Sequence, residues 1–301
     1  MTEHIVVGCD GSENSDRALD WAIQEAAALS AQLRVVVSTG RPVAVTPSPH
    51  GSFLEAVEEE SGEVADRAVA RAQERGISAV AVVGRGDAAQ MLIEQSEAAS
   101  GLVLGKRGRH GVRGRMGSVS AAAAAHAQCP VVVLPSRWRP EAQASRAGAH
   151  PFVGRVVVGV DRLGADNPAI VAAARYAQRH GRGLTLLTVV PEASTTSTGS
   201  VDLDRAIREQ LLDPAQAMVD HVAGAIRSQH PELPVETFVL FGVPREQLVQ
   251  ASRSAELVVV GSRGYGGFRG LLMGSVSQAV LNEGESPVMV IPTRKGRGLP
   301  F

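Results

Sequence analysis

The chain has 301 residues, more than one core usually holds, with 44% hydrophobic and 20% charged residues, the balance of an ordinary soluble globular protein. Lys plus Arg number 30 against 31 Asp plus Glu, for a formal net charge of −1, which argues against a general nucleic-acid or membrane-surface role. Aromatics make up only 3%, so the core must be built from Val, Leu, Ile and Ala, as buried parallel sheets usually are.

Short Val-rich runs alternate with longer amphipathic ones. The runs His4–Cys9, Leu33–Ser38, Ser78–Val83, Leu102–Leu104 and Val131–Leu134 lack clean alternation, the pattern of strands covered on both faces. Between the first two, Ala18, Leu19, Ala22, Ala26 and Leu29 fall on one face of a helix over Ser15–Leu29. A longer, charge-rich helix is expected over Leu54–Arg75. The same series then recurs: Val156–Val160, Leu184–Val190, a helix over Asp202–His230, Val235–Leu240, Leu257–Val260 and Val288–Ile291.

The recurrence is also literal. Ile5–Asp10 matches Val156–Asp161, and Cys129–Pro135 matches Ser286–Pro292. A tandem duplication follows, with units at 1–135 and 154–295, a linker at 136–153 without apolar periodicity, and a tail at 296–301. Strands alternating with helices imply an α/β fold: two tandem doubly wound, Rossmann-like, three-layer units, each with a five-stranded parallel sheet. Such sheets bind ligands at the carboxyl ends of their strands, at the switch point.

After the fourth strand of each unit comes a glycine-spaced loop. Gly261–Ser275 holds six glycines, and the earlier copy repeats glycine at 105, 108, 111, 114 and 117 before Ser118. Glycines let a backbone approach a ligand closely, and a helix start offers free N–H groups and a favourable dipole to an anion. The serine at the helix start can cap it or donate to a phosphate. The loop is not a Walker A sequence, because no Gly-Lys-Ser/Thr occurs. The dinucleotide fingerprint belongs after the first strand, not the fourth.

Gly261-x-x-Gly264, nine residues, then Gly274-Ser275 resembles the ATP-binding signature of the universal stress protein family. Gly8-Cys-Asp10-Gly11-Ser12-x-x-Ser15 and the closing Pro-Val-hydrophobic-hydrophobic strands are similar to that family too, and the likeness to its tandem actinobacterial type covers nearly the whole chain. The resemblance implies an ATP site in each unit. Asp10 and Asp161 would lie near the adenosine, Gly8 and Gly159 would admit the base, and backbone near Val37 and Val189 would read the adenine edge. Gly261, Ser262, Arg263, Gly264, Gly274, Ser275, Val276 and Ser277 would wrap the phosphates. Their matches are Gly105, Arg107, Gly108, Gly117, Ser118 and Val119. Asp10 and Asp161 could hold Mg²⁺ or simply cap a helix or turn.

Each unit departs from the signature. Gly108 to Gly117 encloses eight residues, and that loop is basic through Lys106, Arg107, Arg109, Arg113 and Arg115. Either the charge attracts a triphosphate or the loop is simply solvated. In the second unit Asp161-Arg162-Leu163 replaces Asp-Gly-Ser. No histidine sits in a triad or metal spacing, Ser12 and Ser15 read as cap and turn, and Cys9 and Cys129 read as buried thiols. The expected function is therefore a nucleotide-dependent regulatory protein of the stress response with at most slow ATP turnover, the rival being an enzyme acting on adenine nucleotides. No apolar run nears the roughly 20 residues of a membrane span and no leader is read, so a cytoplasmic location without membrane or nucleic-acid partners is expected. The apolar last strands are expected to pair with each other as an intramolecular pseudo-dimer, and two chains could form a homodimer.

Overall fold

The computed structural model describes residues 3–40, 51–109, 116–139, 151–161, 164, 166–191, 201–264 and 273–292, with backbone only for 51–54 and 201–209. Arg113, Arg115, Arg162, Leu163, the tail at 296–301 and most of the linker lie outside the described residues, as does most of each stretch between the second strand and the next helix.

The described residues gather into two compact units that divide at Ser136/Arg137. The first runs β1 (His4–Gly8), α1 (Glu13–Leu29), β2 (Gln32–Ser38), α2 (Gly51–Glu74), β3 (Ala79–Gly84), α3 (Ala88–Gln95), a 3₁₀ turn (Ser96–Ala98), β4 (Gly101–Gly105), α4 (Ser118–His126) and β5 (Val131–Leu134). Its strands pair in the order β3-β2-β1-β4-β5, all parallel. Helices α1 and α2 pack together, as do α3 and α4, leaving the sheet as the middle layer.

The second unit runs β6 (Arg155–Gly159), α5 (Pro168–Arg179), β7 (Gly183–Val190), α6 (Val201–Gln229), β8 (Val235–Phe241), α7 (Pro244–Ala251), β9 (Leu257–Gly261), α8 (Ser275–Glu283) and β10 (Val288–Ile291). Its order is β8-β7-β6-β9-β10, again parallel. In both units the first strand lies between the second and fourth, so the chain reverses direction across the sheet beside it.

Apolar branched residues fill the middle strands. Ile5, Val6, Val7, Leu102 and Val103 are fully buried, as are Val156, Val157, Val158 and Leu257. Burying each such side chain contributes about 1.5–3 kcal/mol. The expectation that every strand is covered on both faces fails at β3, where Val80 and Val83 are 40% and 44% exposed because the strand lies at the edge of the first unit's sheet. Ser12 caps α1, accepting from the Ser15 N–H at 3.2 Å, and the helix starts at Glu13, earlier than its apolar pattern suggests. Phe152, in the stretch read as linker, is buried and packs edge to face on Phe238 at 5.3 Å. Among the described residues, no helix is long and apolar enough to cross a membrane.

Candidate functional site

At the carboxyl ends of β1, β2 and β4 the first unit opens a cleft of about 520 Å³. Its apolar wall comes from Val36, Leu92 and Leu104, and its polar rim from Asp10, Arg107, Arg109 and the start of α4. Gly8 forms part of the floor. A Cβ there would lie 2.6 Å from Leu104 Cδ2, so any larger residue would push the Leu104 side chain out of its packed place.

The glycine loop is pinned at both ends by the protein's own groups. The Gly117 N–H donates to the Lys106 carbonyl at 2.9 Å, and the Ser120 hydroxyl donates to the Gly105 carbonyl at 2.8 Å. This delivers α4 to the cleft with Gly117 as its N-cap, and no side chain caps it. Ser118 is the first helical residue and exposed, so the expected capping role of that serine is not taken up. Ser118, Val119 and Ser120 line the cleft with the first turn of the helix, where backbone N–H groups point outward along the axis.

Gly117 has an ordinary φ of −68° and ψ of 152°, and a Cβ there would come no nearer than 3.4 Å to Lys106 O. Gly274 is alike, at φ −73° and ψ 154° with 3.5 Å to the Gly264 nitrogen. Among the described residues, neither backbone strain nor serious crowding calls for glycine at these two positions, whereas at Gly8 the Leu104 side chain would have to shift.

Asp10 ties the loops together. Its Oδ1 accepts the Ser12 N–H at 3.0 Å and its Oδ2 accepts the Arg109 N–H at 2.8 Å. A Cβ at Gly108 would overlap Oδ2, so glycine there permits the contact. Burial pushes the Asp10 pKa up, but the hydrogen bonds from Ser12, Arg109 and Ser15 more than reverse this and hold it below the ordinary carboxylate value. Asp10 is therefore an anion at neutral pH. Cys9 also lines the cleft, but burial, with Asp16 and Asp10 nearby, pushes its thiol up to about 12, which leaves it inert as a nucleophile. Cys129 is equally buried and likewise pushed up to about 12.

Most of the other expected residues gather here. Gly105, Arg107 and Gly108 line the cleft with Gly117, Ser118 and Val119. Arg107 Nε is shielded from solvent without a hydrogen-bond partner among the described residues. Val37 does not line the cleft. It is buried, and its strand neighbours Val36 and Ser38 face the cleft instead, because adjacent residues of a strand point to opposite sides.

The second unit repeats the framework. The Gly274 N–H donates to the Ser262 carbonyl at 2.8 Å and the Ser277 hydroxyl to the Gly261 carbonyl at 2.7 Å. Gly274 is the N-cap of α8, again without a side-chain cap. Ser275 is exposed, Val276 half-buried, and Ser262 and Ser277 buried. A Cβ at Gly264 would lie 3.1 Å from Asp161 Oδ2, and one at Gly159 3.1 Å from Leu248 Cδ1. Arg263 is exposed, and Val189 is half-buried at the position that matches Ser38, not Val37.

The sequence reading missed the Ser120 clasp and the wall from α3. Both carry a signal, since Gly-Ser-Val-Ser occurs at 117–120 and 274–277, and Leu92 recurs as Leu248. Among the described residues no cluster of three or more His, Cys, Asp or Glu side chains could hold a metal ion.

Comparison with known proteins agrees with this architecture. A family model described as the universal stress protein family matches residues 1–135 and again 153–292. Over 294 residues the chain is 32% identical to Universal stress protein Rv2005c of Mycobacterium tuberculosis, with 95% of this chain and 96% of that protein covered. A Mycolicibacterium smegmatis universal stress protein is 31% identical over 301 residues, covering 96% and 97% of the two chains. The crystal structure of a universal stress protein from Archaeoglobus fulgidus shares the fold, with a TM-score of 0.64 at 19% identity and 96% of each chain covered. The chain belongs to the universal stress protein family and carries two copies of the family's unit in tandem.

Proposed function

We propose that the chain binds ATP at the glycine loop of each unit and acts as a nucleotide-dependent regulatory protein of the stress response, with at most slow hydrolysis. The observation that carries this is the N-terminus of α4, without a side-chain cap and opening on a cleft of about 520 Å³. That volume suits a small ligand, for which pockets of about 300–1,000 Å³ are usual. The helix start and Arg107 favour a polyanion, while Val36, Leu92 and Leu104 offer a surface for an apolar base. The described residues leave space for a Cβ at Gly117 and Gly274, which supports the same reading, because a phosphate approaching the amides would take the place of a side chain.

The expected roles follow in both units. Backbone at the end of β2 and β7, around Val37 and Val189, reads the adenine edge, and Asp10 and Asp161 lie near the adenosine. Mg²⁺ belongs to the proposal through the same carboxylates, of which Asp10 is held ionised, as a magnesium ligand must be. The regulatory reading extends to a cytoplasmic location, units of about 1–135 and 154–295, and pairing of the last strands or of chains.

Calorimetric titration of the full chain with ATP tests the reading, and Gly117→Glu is its control, since it sets a carboxylate where the phosphate would sit. Binding to the parent and its loss from one site in the variant support the proposal. Equal binding in both overturns it. Prolonged incubation followed by product chromatography separates the regulatory reading from the enzymatic one, which rapid stoichiometric release of AMP would favour.

A further inference from the structure

Three segments of the first unit meet at one side chain. The Arg109 N–H donates to Asp10 Oδ2 at 2.8 Å, which fixes the residue at the rim of the cleft. Its guanidinium then crosses the turn after β1, where Gly11 has a φ of +73° and a Cβ would lie 2.5 Å from Nη2. Nη1 reaches Glu60 Oε1 on α2 at 2.6 Å. The side chains of Arg109 and Glu60 are 38% and 56% exposed. An ion pair so open to water biases an equilibrium by at most about fivefold.

We propose that Arg109 is the residue by which the first unit reads the number of phosphates on its nucleotide, and that Glu60 holds it in reserve until a polyphosphate competes for it. This rests on the nucleotide reading above and adds a selecting residue to it. Arg109 lines the same cleft as the first turn of α4 and is exposed at its rim, so in this proposal the α4 amides take one phosphate and Arg109 takes those beyond it. A guanidinium presents five N–H donors in a planar fork that matches phosphate oxygens, and the weak pair with Glu60 yields to a multiply charged partner. Arg107 cannot set the units apart, because Arg263 occupies the matching place in the second loop. Arg109 can, since its sequence counterpart is Tyr265. The residue gives the shortened, basic loop a selectivity for ATP over AMP that the second unit lacks.

The test uses the full chain carrying Gly274→Glu, so that only the first unit's site is read, and titrates ATP, ADP and AMP by calorimetry. Arg109→Gln is expected to weaken ATP about tenfold and AMP less than about twofold, collapsing the ratio between them. Glu60→Gln is expected to strengthen ATP about threefold and leave AMP unchanged. Both side chains lie at the surface, and an unchanged melting temperature checks that the fold is kept. An ATP-to-AMP ratio that neither substitution moves overturns this inference while leaving the nucleotide reading intact. If the parent binds none of the three nucleotides, both fall together.

Discussion

In the first unit the Ser120 hydroxyl clasps Gly105, and in the second Ser277 clasps Gly261, with bond lengths of 2.8 and 2.7 Å. Gly117 and Gly274 take nearly the same backbone angles. The side chains around these frames differ. Lys106 stands where the second unit has Ser262, and Ser38, whose hydroxyl donates to the Gly86 carbonyl at 2.8 Å, stands where it has Val189. Asp87 caps α3 with its carboxylate, whereas Val243 and Pro244 open α7 without a side-chain cap. The duplication has kept the parts that aim the backbone and varied side chains around them, of which Ser38, replaced by Val189, lines the cleft. A difference in ligand preference between units is therefore to be sought in the side chains at the rim.

That comparison can be broken at several points. The largest effect is expected from Gly117→Glu and Gly274→Glu, each of which should weaken its own site by more than about 100-fold, since like charges brought together cost several kcal/mol. Calorimetric stoichiometry reads which site is lost, and loss of both from one substitution would contradict two independent frames. Next, Gly108→Ala should cost about 2 kcal/mol, because its Cβ overlaps Asp10 Oδ2. Gly264→Ala, with 3.1 Å of room at Asp161 Oδ2, should cost less than about 1 kcal/mol. Thermal unfolding of the two variants measures the gap, and equal shifts would remove it.

Ser120→Ala and Ser277→Ala should each cost about 1 kcal/mol, the net worth of one hydrogen bond, and by nearly equal amounts. A large inequality in denaturant unfolding would show that the clasps are not equivalent. The smallest effect is in pH. The folded pKa of Asp10 is depressed, so its stabilising contribution is present above the unfolded value of about 3.9 and is lost as pH falls through the lower folded value. The stability difference between parent and Asp10→Asn should therefore narrow below about pH 4. A difference independent of pH would mean that the hydrogen bonds to Ser12 and Arg109 do not favour the charged form.

The strands and the duplication were legible because Val-rich runs with the same flanking residues occur twice, and each run became a parallel strand. The start of α1 was placed late because its first turn carries Glu13 and Asn14, which add nothing to an apolar pattern, while the Ser12 cap sets the true start. The exposure of Val80 and Val83 was hidden because a strand's composition does not record its place in the sheet. At the site, glycine spacing located the loop, yet spacing does not reveal which glycines the protein itself crowds. A Cβ at Gly8 would displace Leu104 and one at Gly108 would displace the Asp10 carboxylate, while the described residues leave space at Gly117, a distinction that only the fold reveals. Arg109 was one basic residue among five in the sequence, and only the fold brings Glu60 and Asp10 to it.

The central claim is that the helix starts behind Gly117 and Gly274 each take the phosphates of an adenine nucleotide. Native mass spectrometry of the full chain equilibrated with ATP counts the bound nucleotides directly. The account predicts two per chain for the parent, one for either Gly→Glu variant and none for the double variant. A parent without adenine nucleotide, or a double variant that keeps both, would contradict it.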